Sequence, residues 1–331
     1  MVSLQTIRQS NAHAATTLPK GLVALFIGAT SGIGQSTLTQ LAHHAPPRIY
    51  TVARPQSAPA HAKFLDSLRE SHPNGTYNLL TADVSLVSSV DKIVKTIVEK
   101  ESRLDILFLS VGFMTWGSRD PTPEGLDWSM STRYYSRMRA VQLLVPLLKK
   151  SILPSPRIVS VLAGGMEAPL NEGDLDLREE ANWHYWQAAL HTATMGTLVL
   201  ERFARENPEL SVLHWAPGLV ATPGLEKAKK EGKSPPGEVM SAEESGERGL
   251  FLATSDRYAV REGLVAVPEG IEAVRKSGGG IYLVDPLGEG KDNEEVLGEM
   301  RKRGVDGAVW EFTQKVFDEC LAKGESDKTE L

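Results

Sequence analysis

The amino-acid sequence predicts an α/β fold: a doubly wound parallel sheet of about seven strands, helices on both faces and a C-terminal helical extension. Three observations lead to this prediction. Short apolar runs recur along the chain, as in parallel strands that are buried on both faces. Segments of helical periodicity separate these runs, so successive parallel strands need crossover connections. A glycine-rich turn joins the first run to the helix that follows it.

The predicted elements follow one another in regular order. Strands are predicted at residues 22–27, 48–53, 77–81, 104–110, 157–162, 210–215 and 280–284. Helices are predicted between them at residues 32–43, 60–71, 86–100, 126–150 and 185–206. Because no linker-like segment interrupts this alternation, we expect a single domain over residues 1–322.

Four segments lie outside the predicted sheet and its crossover helices. Residues 3–14 are expected to form a short helix before the first strand. Residues 222–240 are rich in Lys, Gly and Pro and are predicted to form a mobile, lid-like loop. Residues 290–322 are predicted to form the helical extension, and the polar residues 323–331 a disordered tail.

The composition argues against several classes of function. The 331 residues include 36 Lys and Arg against 42 Asp and Glu, a net charge of −6, so a basic nucleic-acid-binding surface is not expected. One cysteine, Cys320, allows no disulfide framework, and the acidic residues of 171–180 lack metal-ligand spacing, so no metal is expected. No run approaches the roughly 18 apolar residues that span a bilayer, and no signal-peptide core precedes the first strand. We expect a cytoplasmic protein without membrane or nucleic-acid partners.

The strongest motif is the turn after the first predicted strand. Glycines let a backbone turn tightly and approach a pyrophosphate, whose charge then meets the N-terminus of the next helix. The alternative is that these glycines serve packing only. The order of strand, turn and helix favours a Rossmann-type dinucleotide site. Its predicted cofactor-binding residues are Gly28, Thr30, Ser31, Gly32, Ile33 and Gly34.

The spacing Gly-x-x-x-Gly-x-Gly resembles that of the short-chain dehydrogenase/reductase superfamily, and the resemblance extends over residues 21–222. Further matching residues, all implied to bind the cofactor, are Asp83, Val84, Gly112, Pro217, Gly218 and Thr222. The resemblance implies that Asp83 and Val84 contact the adenine, and that the turn at Pro217 and Gly218 lies beside the nicotinamide. Where the family usually has Asn-Asn-Ala-Gly, residues 109–112 read Leu-Ser-Val-Gly. Finer details resemble a divergent fungal group, which implies a role in secondary metabolism.

The end of the second predicted strand indicates which cofactor is preferred. NAD-binding enzymes usually place a carboxylate there, which binds the ribose 2′-hydroxyl. This chain has Arg54 instead, and a guanidinium would bind a 2′-phosphate. The alternative is a solvated arginine at a strand end. We expect NADP(H) rather than NAD(H) as the cofactor.

The proton relay that the resemblance implies is missing from this sequence. The family uses Tyr-x-x-x-Lys, in which the Lys lowers the pKa of the Tyr, together with a Ser that orients the substrate oxygen. Alignment on the segment that ends at residue 204 places Ala189 and Ala193 at the Tyr and Lys positions. The Ser position, after the fifth predicted strand, falls at Ala163. The chain has no Lys between Lys150 and Lys227, so the absence of the Lys does not depend on the register.

Helix geometry ranks the residues that could replace the missing Tyr. At 100° per residue, Tyr185 lies about 40° from Ala189 and Thr192 lies about 60° from it, so these two are the candidate catalytic residues. His191 lies about 160° away and is expected to pack or to form an oligomer contact. The two tyrosines at residues 134 and 135 either line the pocket or belong to the core.

These observations predict an NADP(H)-binding oxidoreductase of short-chain dehydrogenase/reductase type, which acts on a carbonyl or an alcohol of a small organic substrate. One alternative is a redox-neutral enzyme, such as an isomerase, cyclase or dehydratase, whose pocket lies on a retained cofactor. Another is a catalytically inactive NADP(H)-binding protein. The fold alone does not choose between them. The family commonly pairs its fourth and fifth helices between subunits, which implies a homodimer.

Overall fold

A seven-stranded parallel sheet forms the centre of the computed structural model, which describes residues 2–113 and 116–326. The strands in chain order are β1 (Val23–Ile27), β2 (Arg48–Ala53), β3 (Thr76–Thr81), β4 (Ile106–Leu109), β5 (Arg157–Val161), β6 (Ser211–Trp215), β7 (Leu219–Val220), β8 (Val239–Met240) and β9 (Tyr282–Val284). The central sheet has the order β3-β2-β1-β4-β5-β6-β9, and β7 pairs with β8 outside it. Neighbouring strands run parallel in both sheets.

Helices connect the strands and cover both faces of the sheet. They are α1 (Leu4–Thr17), α2 (Gly32–His44), α3 (Ala58–Ser71), α4 (Val87–Lys100), α5 (Trp128–Met130), α6 (Ser136–Leu148), α7 (Tyr185–Glu206), α8 (Pro223–Lys230), α9 (Ala242–Thr254), α10 (Glu294–Lys302) and α11 (Val305–Ser326). None of the helices in the described ranges combines the length and the apolar character that crossing a bilayer demands.

Successive side chains along each strand point to opposite faces of the sheet and pack in two separate cores. Val23, Leu25 and Ile27 of β1 pack in one cluster with residues of α4, α6, α7 and α11. Ala24 and Phe26 pack in a second cluster with residues of α1, α2 and α9. Both faces are therefore covered, as continuous apolar strands require. This arrangement confirms the predicted fold class.

The order of the strands reverses beside β1, and this reversal positions the candidate site. The chain passes from β1 to β2 and β3, and then returns through α4 to β4 on the other side of β1. In doubly wound sheets, ligands bind outside the carboxyl ends of the strands at such a point. The glycine turn follows β1 and residues 110–113 follow β4, so both border the crevice between these two strands.

Two segments differ from the sequence-based expectation. The segment 222–240, predicted as a loop, contains α8 and β8. Thr222 begins α8, since its Oγ1 accepts a hydrogen bond from Leu225 N at 3.2 Å, and Pro223 takes a first-turn position that needs no N–H donor. α11 continues to Ser326, past the predicted end of the extension at residue 322. The rest of the predicted tail, residues 327–331, lies outside the described residues.

A π-helical turn, Ser131–Tyr135, joins α5 to α6 within the predicted fourth helix. Asp127 begins this helical segment, because its Oδ1 accepts hydrogen bonds from Ser129 N at 2.8 Å and Met130 N at 3.0 Å. Single π-turns inside α-helices are rare and frequent at functional sites. Arg133 lies within this turn and Arg137 lies in the first turn of α6.

Candidate functional site

The glycine turn divides into two parts with different roles. At Gly28 (φ +105°) a Cβ atom would overlap the backbone of Val111, and at Gly34 it would lie 2.5 Å from the Gly28 carbonyl oxygen. These two glycines therefore let α2, β1 and the end of β4 pack closely. At Gly32 (φ +61°) a Cβ atom would lie 2.9 Å from the Thr222 side chain rather than against backbone. Close packing thus requires a small residue at Gly28 and Gly34, whereas Gly32 lies against a side chain after β6.

The N-terminus of α2 is open to a ligand. Ser31 takes the N-cap position, is exposed, and makes no capping hydrogen bond through its side chain. Thr30 and Ile33 lie half-buried beside it. The first-turn N–H groups of α2 therefore remain available to bind an anion, which the helix dipole also favours.

Arg54 and Asp83 follow the neighbouring strands β2 and β3 at the same edge of the sheet. The Arg54 side chain is exposed. Asp83 is half-buried, and its Oδ1 accepts hydrogen bonds from Ser85 N at 3.0 Å and Ser85 Oγ at 2.8 Å, so this oxygen serves the turn before α4. Val84 is buried, and its carbonyl oxygen accepts a hydrogen bond from the Ser136 hydroxyl. Its side chain therefore belongs to the core, and only its backbone N–H could serve a ligand.

The remaining predicted cofactor-binding residues also lie at the carboxyl edge of the sheet. Gly112 is exposed after β4, and Gly218 (φ +71°) is exposed after β6, next to the half-buried Pro217. Thr222 both begins α8 and packs over Gly32. The structure therefore brings the β6–α8 turn and the glycine turn together.

Two buried arginines, which the sequence reasoning did not assign to the site, lie under the carboxyl ends of β4 and β5. Arg137 is 2% exposed and donates hydrogen bonds to the Val111 carbonyl oxygen, to Ser160 Oγ at 3.1 Å and to the Val161 carbonyl oxygen at 2.8 Å. It thereby ties α6 to the ends of both strands. The signal in the sequence was two arginines four residues apart, a spacing that places both on one helix face.

Arg133 lies one turn before Arg137 and is 8% exposed. Its Nη1 donates a hydrogen bond to Ser129 Oγ at 3.3 Å. Burial lowers the pKa of Arg133 to about 10, partly offset by Asp127. Burial and the neighbouring Arg133 lower the pKa of Arg137 to about 9. Both side chains remain protonated at neutral pH, so two buried positive charges lie at this edge of the sheet.

Helix α7 carries the predicted relay positions. Ala189 is 7% exposed and Ala193 is fully buried. Thr192 is also fully buried, and its hydroxyl donates to carbonyl oxygens of its own helix at 2.8 and 2.9 Å, which argues against its predicted catalytic role. His191 is 3% exposed and its Nε2 contacts the Leu175 carbonyl oxygen at 3.1 Å. Burial lowers the pKa of His191 to about 4, as suits a neutral, packed imidazole.

Tyr185, the other predicted catalytic residue, begins α7 within an aromatic cluster of Trp116, His184, Tyr185 and Trp186. The centroid of its ring lies 4.9 Å from Trp116, 4.5 Å from His184 and 5.2 Å from Trp186. Tyr185 is half-buried, and none of the described residues hydrogen-bonds its hydroxyl. Lys233 follows α8, and its Nζ lies 5.6 Å from the Trp116 ring centroid. The cluster therefore joins the segments after β4 and α8 to the start of α7.

The two tyrosines of the π-turn belong to the core rather than to a pocket. Tyr134 and Tyr135 are both fully buried. The Tyr134 hydroxyl contacts Thr313 Oγ1 at 2.5 Å, and the Tyr135 hydroxyl donates to Asp176 Oδ1 at 3.0 Å. Burial raises the pKa of both phenols. Of the two alternatives for these residues, the structure supports the core.

A buried chain of hydrogen bonds holds the loop that follows β5. Ala163 N donates to His214 Nε2 at 3.3 Å, so Nδ1 carries the proton of the imidazole and bonds Thr197 Oγ1 at 2.8 Å. Thr197 donates in turn to Glu167 Oε1 at 2.7 Å, which also accepts from Gly165 N at 3.0 Å. Burial lowers the pKa of His214, which keeps the imidazole neutral. This series of hydrogen bonds fixes the loop that contains Ala163, the predicted Ser position.

The sheet topology, the glycine turn and the open helix N-terminus define a Rossmann-type α/β protein with the elements of a dinucleotide site. The short chain dehydrogenase family matches residues 22–171. The NmrA-like family domain-containing oxidoreductase notO of Aspergillus sp. is 60% identical over 99% of this chain and 98% of its own length. A short-chain dehydrogenase/reductase of Stachybotrys chartarum is 30% identical over 98% of this chain and 99% of its own length. This chain belongs to the short-chain dehydrogenase/reductase family.

Solved structures show the same fold at low sequence identity. A Pseudomonas aeruginosa protein in an active-site complex with NADP has a TM-score of 0.56 and 20% identity, over 78% of this chain and 98% of its own. An NADPH-dependent reductase involved in bacilysin biosynthesis has a TM-score of 0.56 and 18% identity, over 76% of this chain and 98% of its own. These similarities concern the fold.

Proposed function

We propose that this protein is an NADP(H)-dependent oxidoreductase that acts on a carbonyl or an alcohol of a small organic molecule. The observation that carries the proposal is the crevice between β1 and β4, where Gly32 and the uncapped N-terminus of α2 can approach a pyrophosphate. The segment that contains the glycine turn and Arg54 has no acidic residue, since no Asp or Glu precedes Asp66 in the sequence. Fungal relatives named as oxidoreductases support a redox reaction.

The residues at the crevice fit the parts of NADP(H). The first turn of α2 offers N–H donors to the pyrophosphate, and Arg54 offers its exposed guanidinium to the 2′-phosphate on the β2 side. Gly218 and Thr222 lie on the nicotinamide side. When bound, NADPH supplies the hydride for a reduction. The chain then has to orient the substrate and provide a proton for the developing alkoxide.

The proton has to come from a group other than the alanines at 189 and 193. Tyr185 is the candidate, because its half-buried ring is fixed by the aromatic cluster and its hydroxyl is not committed to a described residue. A water molecule or the substrate itself is the alternative. Exposed apolar side chains favour a bulky, apolar substrate of the kind found in secondary metabolism. They lie after β4 and β5, at the start of α7 and in β8, and are Phe113, Met166, Trp186 and Val239.

Cofactor affinity tests this proposal directly. A charge-assisted hydrogen bond contributes about 1.5–3 kcal/mol, so the wild type should bind NADPH roughly 10- to 150-fold more tightly than NADH. Arg54→Ala should remove most of that preference. Arg261→Ala is the matched control, because Arg261 is also exposed but lies at the opposite edge of the sheet. Its neighbour Val260 donates a backbone hydrogen bond to Ser155 Oγ, and Ser155 lies just before β5. Equal dissociation constants for NADPH and NADH in the wild type would contradict the cofactor assignment.

A redox-neutral reaction on a retained cofactor is the second candidate, favoured by the two methyl groups at the relay positions. Shape and fixed dipoles can accelerate isomerisation, cyclisation or dehydration without a titrating Tyr. The near-ultraviolet absorbance of NADPH distinguishes the two reactions once a substrate is converted. Stoichiometric loss of NADPH supports the reductase, and product formation without any loss supports the redox-neutral enzyme.

A further inference from the structure

Arg133 is a buried cation with few partners. It is 8% exposed, and its one hydrogen bond to a described residue runs from Nη1 to Ser129 Oγ at 3.3 Å. The carboxylate that interacts with it electrostatically is Asp127. The Asp127 oxygens, however, accept hydrogen bonds from three backbone N–H groups, those of Asp120, Ser129 and Met130. Within the described ranges Arg133 therefore has no ion-pair partner, and its Nε and Nη2 donors have no acceptor.

The neighbouring Arg137, unlike Arg133, has hydrogen-bond acceptors for its whole guanidinium group. All three of its guanidinium nitrogens donate to carbonyl or hydroxyl oxygens, among them the Val111 and Val161 carbonyls. Burying a second guanidinium beside it is costly, because like charges repel and both lose hydration. Arg133 recovers this cost only in part, through Asp127 and through one hydrogen bond to Ser129 Oγ. Its unused donors are available to a ligand.

The position of Arg133 identifies the part of the ligand that it would meet. A Cβ atom on the exposed Gly112 would lie 2.9 Å from Arg133 Cγ, so Arg133 packs under the end of β4 at the crevice. β2, with Arg54 at its end, lies on one side of β1, and β4 lies on the other. When the 2′-phosphate lies towards β2 and the pyrophosphate over α2, the nicotinamide half extends towards β4.

Resting on the proposed NADP(H) binding, we infer that the Arg133 guanidinium binds oxygen atoms of the nicotinamide half of the cofactor. It supplies there the positive charge that the alanine at position 193 cannot supply. Arg133 is thus a binding residue that the relay of the family does not include. This role uses its free N–H donors, its burial and its place at the β4 side of the crevice.

Two ligands separate this role from general cofactor binding. NADPH contains the nicotinamide half, whereas 2′,5′-ADP contains only the adenosine side with its phosphates. By isothermal titration, Arg133→Met should weaken NADPH binding by about tenfold or more and leave 2′,5′-ADP binding within about twofold. Arg54→Ala is the reciprocal control and should weaken both ligands. Arg133→Lys keeps the charge and should recover part of the NADPH affinity.

Each outcome of this experiment decides the inference. Unchanged NADPH affinity in Arg133→Met, or equal weakening of both ligands, would overturn it. If circular dichroism shows that Arg133→Met is unfolded, Arg133→Gln replaces it, because it removes the charge that the inference invokes, and NADPH binding should still weaken selectively. A wild type that binds neither ligand would refute the proposed function and with it this inference. A wild type that binds both, with no selective loss in the Arg133 variant, would refute the inference alone.

Discussion

Replacing Thr197 by valine removes one hydroxyl from the buried chain that holds the loop after β5. The substitution keeps the shape of the side chain but leaves His214 Nδ1–H without the acceptor that now lies 2.8 Å away. Glu167 Oε1 loses the Thr197 donor at 2.7 Å and, among the described residues, keeps Gly165 N at 3.0 Å. A buried polar group without its partner costs about 1–3 kcal/mol, so the free energy of unfolding should fall by roughly 2–4 kcal/mol.

Thr192 provides a matched control on the same helix. It is also fully buried, but its hydroxyl donates only to carbonyl oxygens of α7. Thr192→Val should therefore change the free energy of unfolding by less than about 1 kcal/mol. Urea unfolding followed by circular dichroism compares the two variants, and Thr197→Ser should recover much of the loss. If the two valine variants were equally stable, the hydrogen-bonded chain would not stabilise the loop.

Three further predictions address the glycine turn, a buried histidine and the proton donor. Gly34→Ala should lower the melting temperature sharply, because the Cβ atom would lie 2.5 Å from a backbone oxygen. Gly32→Ala should lower the free energy of unfolding by only about 1–2 kcal/mol and should mainly weaken NADPH binding. Burial lowers the pKa of His191 to about 4, so this residue should contribute stability above pH 6.5 that is lost as the pH falls towards 4, by roughly 3 kcal/mol. His191→Gln should make the stability–pH profile less steep in this range, and the part due to His214, whose pKa is also lowered, should remain. Tyr185→Phe should reduce kcat on the natural substrate by about 10²-fold or more if the hydroxyl is the acid, and near-full activity would give Tyr185 a packing role.

The fold and the glycine turn could be predicted because both are local patterns. The five apolar residues of β1 and the glycines at its end predict a buried strand followed by a helix, and this prediction needs no information about the rest of the chain. α8 had a local signal as well. Thr222 followed by Pro223 is a typical helix start, but the Lys, Gly and Pro content of the segment favoured a loop.

Other parts of the site depend on contacts between distant residues. Gly34 must be small because Gly28 and Ser110 lie against it, and Ser110 directly follows β4. Trp116 joins the aromatic cluster only because its loop folds back on the start of α7. The hydroxyl of Thr192 was a plausible catalytic group by angle alone. Its burial follows from packing of α7 that a helical wheel does not describe.

The two arginines on the π-turn and α6 show how charge is divided between fold and site. Arg137 donates hydrogen bonds to backbone oxygens at the ends of β4 and β5, so its guanidinium connects these strands to α6. Arg133, one turn earlier, places a second charge in the same low-dielectric surroundings and lowers the pKa of its neighbour. Asp127 and the hydrogen bond to Ser129 Oγ offset the stability cost of this repulsion only in part, because no described carboxylate forms an ion pair with Arg133. A ligand that presents oxygen atoms at the β4 side of the crevice would offset that cost. In the proposed role Arg133 is the cation of this site, since the sequence has no Lys between Lys150 and Lys227.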